Sequence, residues 1–127
     1  MDNPKRLSAT TLAFIGDGVY GLLVRERLCE NDRPSGELHS LSVKLVNATS
    51  QAKSFRLIEP LLSEDELAVF KRGRNAHTST TPKNSTNGEY HTATGLEALF
   101  GYLYLSGQKA RIDELFSVIW SDFSVNL

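Results

Sequence analysis

With 127 residues, 40% of them hydrophobic and 23% charged, the chain has the size and mix of one ordinary globular domain, which excludes the disordered, fibrous and collagen-like classes. The 14 Lys and Arg against 15 Asp and Glu leave a net charge of −1, so no global field attracts a polyanion and any nucleic-acid contact requires a local concentration of base. The single cysteine, Cys29, excludes an internal disulfide and a Cys/His zinc cluster and points to a reducing compartment, the cytoplasm; no signal sequence or apolar run of about twenty residues indicates export or membrane insertion.

From Leu7 to Leu28 the apolar positions Leu12, Ile15, Val19, Leu22 and Leu23 recur at helical spacing, and Ser8 or Thr10 can accept a free amide at the start. A long, largely buried first helix is predicted. The breaker-rich segment Glu30-Asn31-Asp32-Arg33-Pro34-Ser35-Gly36 predicts a loop. Leu38, Leu41, Leu45, Ala48, Ala52 and Phe55 then alternate steps of three and four, the pattern of one amphipathic helix ending before Pro60. Ser63-Glu64-Asp65-Glu66 has the serine-to-glutamate spacing of a capping box and predicts a short helix through Leu67 and Phe70 towards Gly73. From Arg74 to about Tyr90, Thr, Ser, Asn and Gly dominate around Pro82, which predicts a long functional loop. Helical patterning returns from about Thr92 to Leu105, halts at Ser106-Gly107 and resumes with Ile112, Leu115, Phe116 and Ile119. No strand alternation, repeat or heptad occurs, so the expectation is a single all-α domain over 1–127, a bundle of about five to seven helices.

Two acids interrupt this pattern: Asp17 in Leu12-Ala13-Phe14-Ile15-Gly16-Asp17-Gly18-Val19-Tyr20, and Glu97 in Leu96-Glu97-Ala98-Leu99-Phe100-Gly101-Tyr102-Leu103. Each is a lone charge at a position the helical pattern would bury, and a buried carboxylate needs a cation partner, a metal ion or a raised pKa. One reading sets each acid at a wet helix edge or pairs it with Arg25 or Arg56. The other brings the two together, because Gly16 and Gly18 beside one and Gly95 and Gly101 beside the other allow two helices to approach closely. Two hard oxygen ligands with few nitrogen or sulfur donors nearby suit Mg2+ or Mn2+ rather than zinc. Such an ion lowers the pKa of a bound water and neutralises charge that builds during in-line attack on a phosphodiester, the expected products being a 5′-phosphate and a 3′-hydroxyl.

Lys71-Arg72-Gly73-Arg74-Asn75 concentrates three positive charges at the end of the short helix, and Thr80-Thr81-Pro82-Lys83-Asn84 adds a fourth; from Lys71 to Tyr90 the only acid is Glu89. Lys and Arg here can meet phosphates while Asn75, Thr80, Thr81 and Asn84 offer short hydrogen bonds, a mix that positions a nucleic-acid backbone by shape without reading its sequence, as for a duplex. The competing reading is a solvated cluster that complements the helix dipole. His39, His77 and His91 share no ligand spacing, and His39, near an apolar helix face, reads as a packing residue. Tyr20, Tyr102, Tyr104 and Trp120 fall at helical spacing as core or interface residues.

Taken in order, Ala13-Phe14-Ile15-Gly16-Asp17-Gly18, Glu37-Leu38-His39, Ser50-Gln51-Ala52, Lys71-Arg72-Gly73-Arg74-Asn75-Ala76, Thr81-Pro82-Lys83-Asn84 and Leu96-Glu97-Ala98-Leu99-Phe100-Gly101-Tyr102-Leu103 resemble Mini-ribonuclease III, a branch of the ribonuclease III superfamily, over nearly the whole chain. The resemblance implies an all-helical, metal-dependent endoribonuclease domain that forms a homodimer around a cleft, with one metal site per protomer and one cut per strand of double-stranded RNA. It carries the catalytic and metal-binding roles to Asp17 and Glu97, and RNA-contacting or site-supporting roles to Lys71, Arg72, Arg74, Asn75 and Lys83, with Thr81 and Asn84 beside the last. The implied substrate is a precursor of large-subunit (23S) ribosomal RNA. It also implies a chain without a double-stranded RNA-binding domain, so that the grip on RNA comes from the catalytic domain itself.

One departure from the wider superfamily stands out. The larger relatives carry further acids one turn before the catalytic Asp and three residues before the catalytic Glu, where this chain has Ala13 and Thr94; fewer anionic ligands leave more coordination positions to water. Two other classes of function compete: a non-catalytic ribonuclease III-fold protein that binds structured RNA as a scaffold, and a helical protein-interaction module with incidental basic residues. A scaffold has no reason to keep both acids.

Overall fold

The computed structural model, which describes residues 3–76, 87–125 and 127, places helices where the chain can satisfy their first free amides. Six α-helices and two 3₁₀ turns, Pro4–Arg6 and Glu59–Leu61, occur among the described residues, and no strand. Helix α1 (Ala9–Leu28) starts at Ser8, whose hydroxyl accepts from the Thr11 amide. Helix α4 (Glu64–Arg74) starts on the predicted capping box, with Ser63 and Glu66 each accepting from the other's backbone amide. Helix α5 (Asn87–Leu105) stops at Gly107, where φ is +72° and the Gln108 and Gly107 amides donate back to the Leu103 and Tyr104 carbonyls. Helix α6 (Lys109–Ser124) then buries Ile112, Leu115, Phe116 and Ile119, the four positions its spacing selects.

Three expectations need correction. The apolar run from Leu38 to Phe55 is two helices, α2 (Ser35–Leu45) and α3 (Ala48–Ile58). The break is imposed by Asn47: its Oδ1 accepts from the Ser50 amide while its Nδ2 donates to the Val43 and Lys44 carbonyls, so one side chain ends one helix and starts the next. Helix α5 begins at Asn87, five residues before the expected start, so the polar stretch after Arg74 is shorter than the predicted loop; residues 77–86 of that loop lie outside the described residues. On α1 the buried stripe is Leu12, Gly16, Tyr20, Val24 and Leu28, with Ala13 and Gly21, whereas Leu22 is exposed and Ile15, Val19 and Leu23 are partly so. The glycines let the helix bury a narrow face against a neighbour's backbone, which pure hydrophobicity does not signal.

Helix α5 is the axis of the molecule, with α1, α3 and α4 packed around it. Its Leu96, Leu99, Phe100 and Leu103 join Tyr20, Val24, Phe55, Phe70, Leu115 and Phe116 in one apolar cluster. Phe55 stacks on Phe70 at 3.6 Å between ring centroids, and Tyr20 sets Phe100 and Phe116 edge-on. No helix among the described residues is long and apolar enough to cross a membrane.

Candidate active site

Helices α1 and α5 meet backbone to backbone. A Cβ on Gly16 would stand 1.6 Å from the Glu97 carbonyl oxygen, and one on Gly101 would stand 2.0 Å from the Leu12 carbonyl oxygen. Gly95 serves a different contact, against Phe70 of α4, and nothing lies within 4 Å of a Cβ on Gly18. Two of the four predicted glycines therefore bring α1 to α5, one brings α4, and one opens to solvent.

That close crossing brings the two acids together. The carboxyl groups of Asp17 and Glu97 lie within hydrogen-bonding reach of each other. Asp17 is exposed and Glu97 half-buried, so the expectation that both are buried is corrected: Asp17 faces outward next to the open Gly18. Neither acid pairs with Arg25, Arg56 or any other base among the described residues, whose ion pairs are Lys5–Asp65, Arg33–Glu37, Lys53–Asp122, and Arg111 with Glu66 and Glu114. Burial first, then the Asp17 charge and a hydrogen bond given to Asp17, push the Glu97 pKa up to about 8, against a hydrogen bond from Gln51 that acts the other way. At neutral pH Glu97 therefore holds a proton that a cation would displace.

A divalent cation fits this donor set. Two carboxyl groups in contact, with no base paired to either among the described residues, gather hard oxygen donors, the chemistry of Mg2+ or Mn2+. Among the described residues no group of three or more His, Cys, Asp or Glu gathers here or elsewhere. Ala13 is buried in the apolar contact with Leu12, Val69 and Ala98, and the Thr94 hydroxyl is spent on the Tyr90 carbonyl at 3.0 Å.

The basic residues divide by what they already hold. Lys71 is exposed at the last turn of α4. Arg74 lies over the Phe70 ring, 5.7 Å from its centroid, and its Nε donates to the side chain of the exposed Asn75. Arg72 donates to the carbonyls of Lys5 and Leu7 at 3.3 and 2.8 Å and so ties the N-terminal segment to α4. Thr81, Lys83 and Asn84, with His77, lie outside the described residues. His39 is exposed rather than packed, at a shallow groove with Arg25, Cys29 and Ser42. Tyr20 is core as expected, and Tyr104 is exposed.

Sequence reasoning gave no role to Gln51. Its signal was present: it falls at helical spacing with Ala48, Ala52, Phe55 and Ile58, so a polar side chain stands on an apolar face, the same anomaly that singles out the two acids.

The ribonuclease III domain model matches residues 10–108 of this all-helical chain. The chain is 46% identical to Mini-ribonuclease 3 of Thermoanaerobacter sp. (strain X514) over 86% of this chain and 78% of that protein. It is 44% identical to Mini-ribonuclease 3 of Symbiobacterium thermophilum over 89% of this chain and 88% of that one. A crystal structure of a protein from Fusobacterium nucleatum superposes with a TM-score of 0.87 at 28% identity, covering 95% of this chain and 98% of that one. The chain belongs to the ribonuclease III family, in its Mini-ribonuclease 3 branch.

Proposed function

We propose that Asp17 and Glu97 form the reaction centre of a metal-dependent endoribonuclease that cuts double-stranded RNA. The coarse activity follows from family: the relatives are named ribonucleases, and the chain is a double-strand-specific endoribonuclease of that kind. The observation that carries the assignment to these residues is the contact of two carboxyl groups without a base, at a helix crossing that only glycine permits. Asp17 and Glu97 would hold a Mg2+ or Mn2+ ion, which when bound would supply an activated water and neutralise charge on the phosphate. Asp17 presents its carboxylate on the exposed side, where an RNA backbone can arrive, and Glu97 presents its own from the half-buried side.

Lys71, Arg74 and Asn75, with Thr81, Lys83 and Asn84, supply the phosphate and sugar contacts that hold a duplex by shape, and Arg72 sets the end of α4. These contacts come from the catalytic domain itself. The protein acts as a homodimer in the cytoplasm, giving two sites and one cut per strand, on a precursor of large-subunit ribosomal RNA. Support for the dimer is the exposed apolar surface of α1 beside Asp17: Phe14 is 83% and Leu22 57% exposed, next to a groove of about 510 Å³ lined by Ile15, Val19, Leu23 and Tyr104.

Incubating the protein with end-labelled duplex and single-stranded RNA of one sequence, with and without Mg2+, tests the reading. Cutting of the duplex alone, only with Mg2+, and with 5′-phosphate ends, is expected. Tight duplex binding with no cut in Mg2+ or Mn2+ would favour the scaffold instead.

A further inference from the structure

Helix α3 brings no charge to the site, yet it buries two polar side chains one turn apart. Gln51 is 4% exposed and Ser54 3%, while the other core-facing residues of this helix, Ala52, Phe55 and Ile58, are apolar. A buried carboxamide is costly unless its donors are used. Gln51 Nε2 donates to Glu97 Oε2 at 3.4 Å. Ser54 faces the hydroxyl of Tyr20, which is fully buried and has no hydrogen bond of full geometry. Polar groups from α3 thus approach Glu97 from the core, while Asp17 meets it from the solvent side.

The corner before α3 sets this geometry. The Asn47 cap and the Ser50 hydroxyl, which donates to the Lys44 carbonyl at 2.6 Å, lock the α2–α3 turn one residue before Gln51. An unbroken helix through Asn47 would carry a different face of this segment towards α5. We propose that Gln51 is a positioning residue for the reaction centre: its carboxamide, donating to Oε2, holds the Glu97 carboxylate in the orientation from which it would bind a divalent cation together with Asp17. This rests on the proposed role of Glu97. An amide suits the task because it donates a hydrogen bond without adding charge. A third carboxylate would deepen the repulsion with Asp17, and an apolar side chain would leave Glu97 Oε2 without a partner on its buried side.

The test is Gln51→Met, which keeps length and bulk but removes the donor, with Gln51→Asn, which withdraws the amide by one methylene. Mn2+ binding to the RNA-free protein, followed by electron paramagnetic resonance, is the readout that a merely structural role does not move. Expected are a thermal midpoint close to wild type, Mn2+ affinity lower by about tenfold, and single-turnover duplex cleavage slowed about 10–100-fold and partly restored by excess Mn2+. In a Glu97→Gln background, Gln51→Met should change Mn2+ binding no further. Wild-type Mn2+ affinity and cleavage in folded Gln51→Met overturn the proposal, and should that variant not fold, the same result in Gln51→Asn does so. If Glu97→Gln itself binds Mn2+ and cuts normally, the reading of Glu97 has failed rather than that of Gln51 alone.

Discussion

The carbonyl oxygen of Glu97 occupies the space that a side chain on Gly16 would need, 1.6 Å from the position of its Cβ. Neither partner in this clash is a flexible side chain, so a larger residue must separate α1 from α5. Gly16→Ala should destabilise the fold by about 3 kcal/mol or more and abolish cleavage in whatever fraction still folds. Gly18→Ala, where nothing lies within 4 Å, should be neutral or stabilising by about 0.5–1 kcal/mol, as expected for alanine in a helix. Urea titration of both variants measures the contrast, and equal midpoints would mean that the two helices do not touch at Gly16.

Glu97, with a pKa raised from 4.5 to about 8 in the fold, favours the folded state in its protonated form. Its contribution is fully present below about 4.5 and is lost as pH rises through about 8, so metal-free protein should lose stability across the neutral range. Glu97→Gln should flatten that slope. Adding Mg2+ near pH 7 should release a proton, detectable in a weakly buffered solution. A stability profile identical in wild type and Glu97→Gln would contradict the state assigned to this carboxyl.

The opposite sign applies to Glu66 of α4. Arg111 of α6 donates through Nε and Nη2 to its two oxygens at 2.8 Å each and to the Leu61 carbonyl at 2.7 Å, so the guanidinium beside Glu66 lowers the carboxyl pKa. The stability this adds is present above the ordinary glutamate value and is lost as pH falls through the lowered one. Arg111→Met leaves Glu66 buried with Ser63 as its remaining partner and should cost about 2–4 kcal/mol at pH 7, narrowing as the pH is lowered. Thermal melts at pH 7 and pH 4 test this.

Lys71 and Arg72 are neighbours with different expected effects. Lys71→Ala should weaken duplex RNA binding alike across sequences and lower the salt slope by about one, with no change in stability. Arg72→Ala removes two hydrogen bonds to the N-terminal backbone, so it should lower the thermal midpoint and loosen residues 5–7 to proteolysis. Binding isotherms at several salt concentrations, set beside melting curves, separate the two.

Much of this molecule was legible in local chemistry. The capping box at Ser63, the stop at Gly107 and the buried stripe of α6 are decided within a few residues, and the structure follows them. Asp17 and Glu97 were legible as anomalies, lone charges in apolar runs, and they do meet. The break at Asn47 was masked because the apolar spacing continues across it while a single side chain makes the turn. The face of α1 was misjudged because its contact is backbone against backbone at Gly16, leaving Leu22 and Phe14 outside. Glu66 and Arg111 lie 45 residues apart, and no spacing rule links them. Gln51 could have been found by treating a lone amide on an apolar face as seriously as a lone acid.

The most direct measurement is single-turnover cleavage of a duplex RNA in Mg2+ by wild type, Asp17→Asn and Glu97→Gln, each at protein concentrations that saturate binding. Both variants should fold and bind the duplex as wild type does, yet cut it at least about 1,000-fold more slowly, since the loss falls on charge stabilisation at the reacting phosphate. Cleavage at the wild-type rate by either folded variant would show that the reaction is carried elsewhere in the molecule.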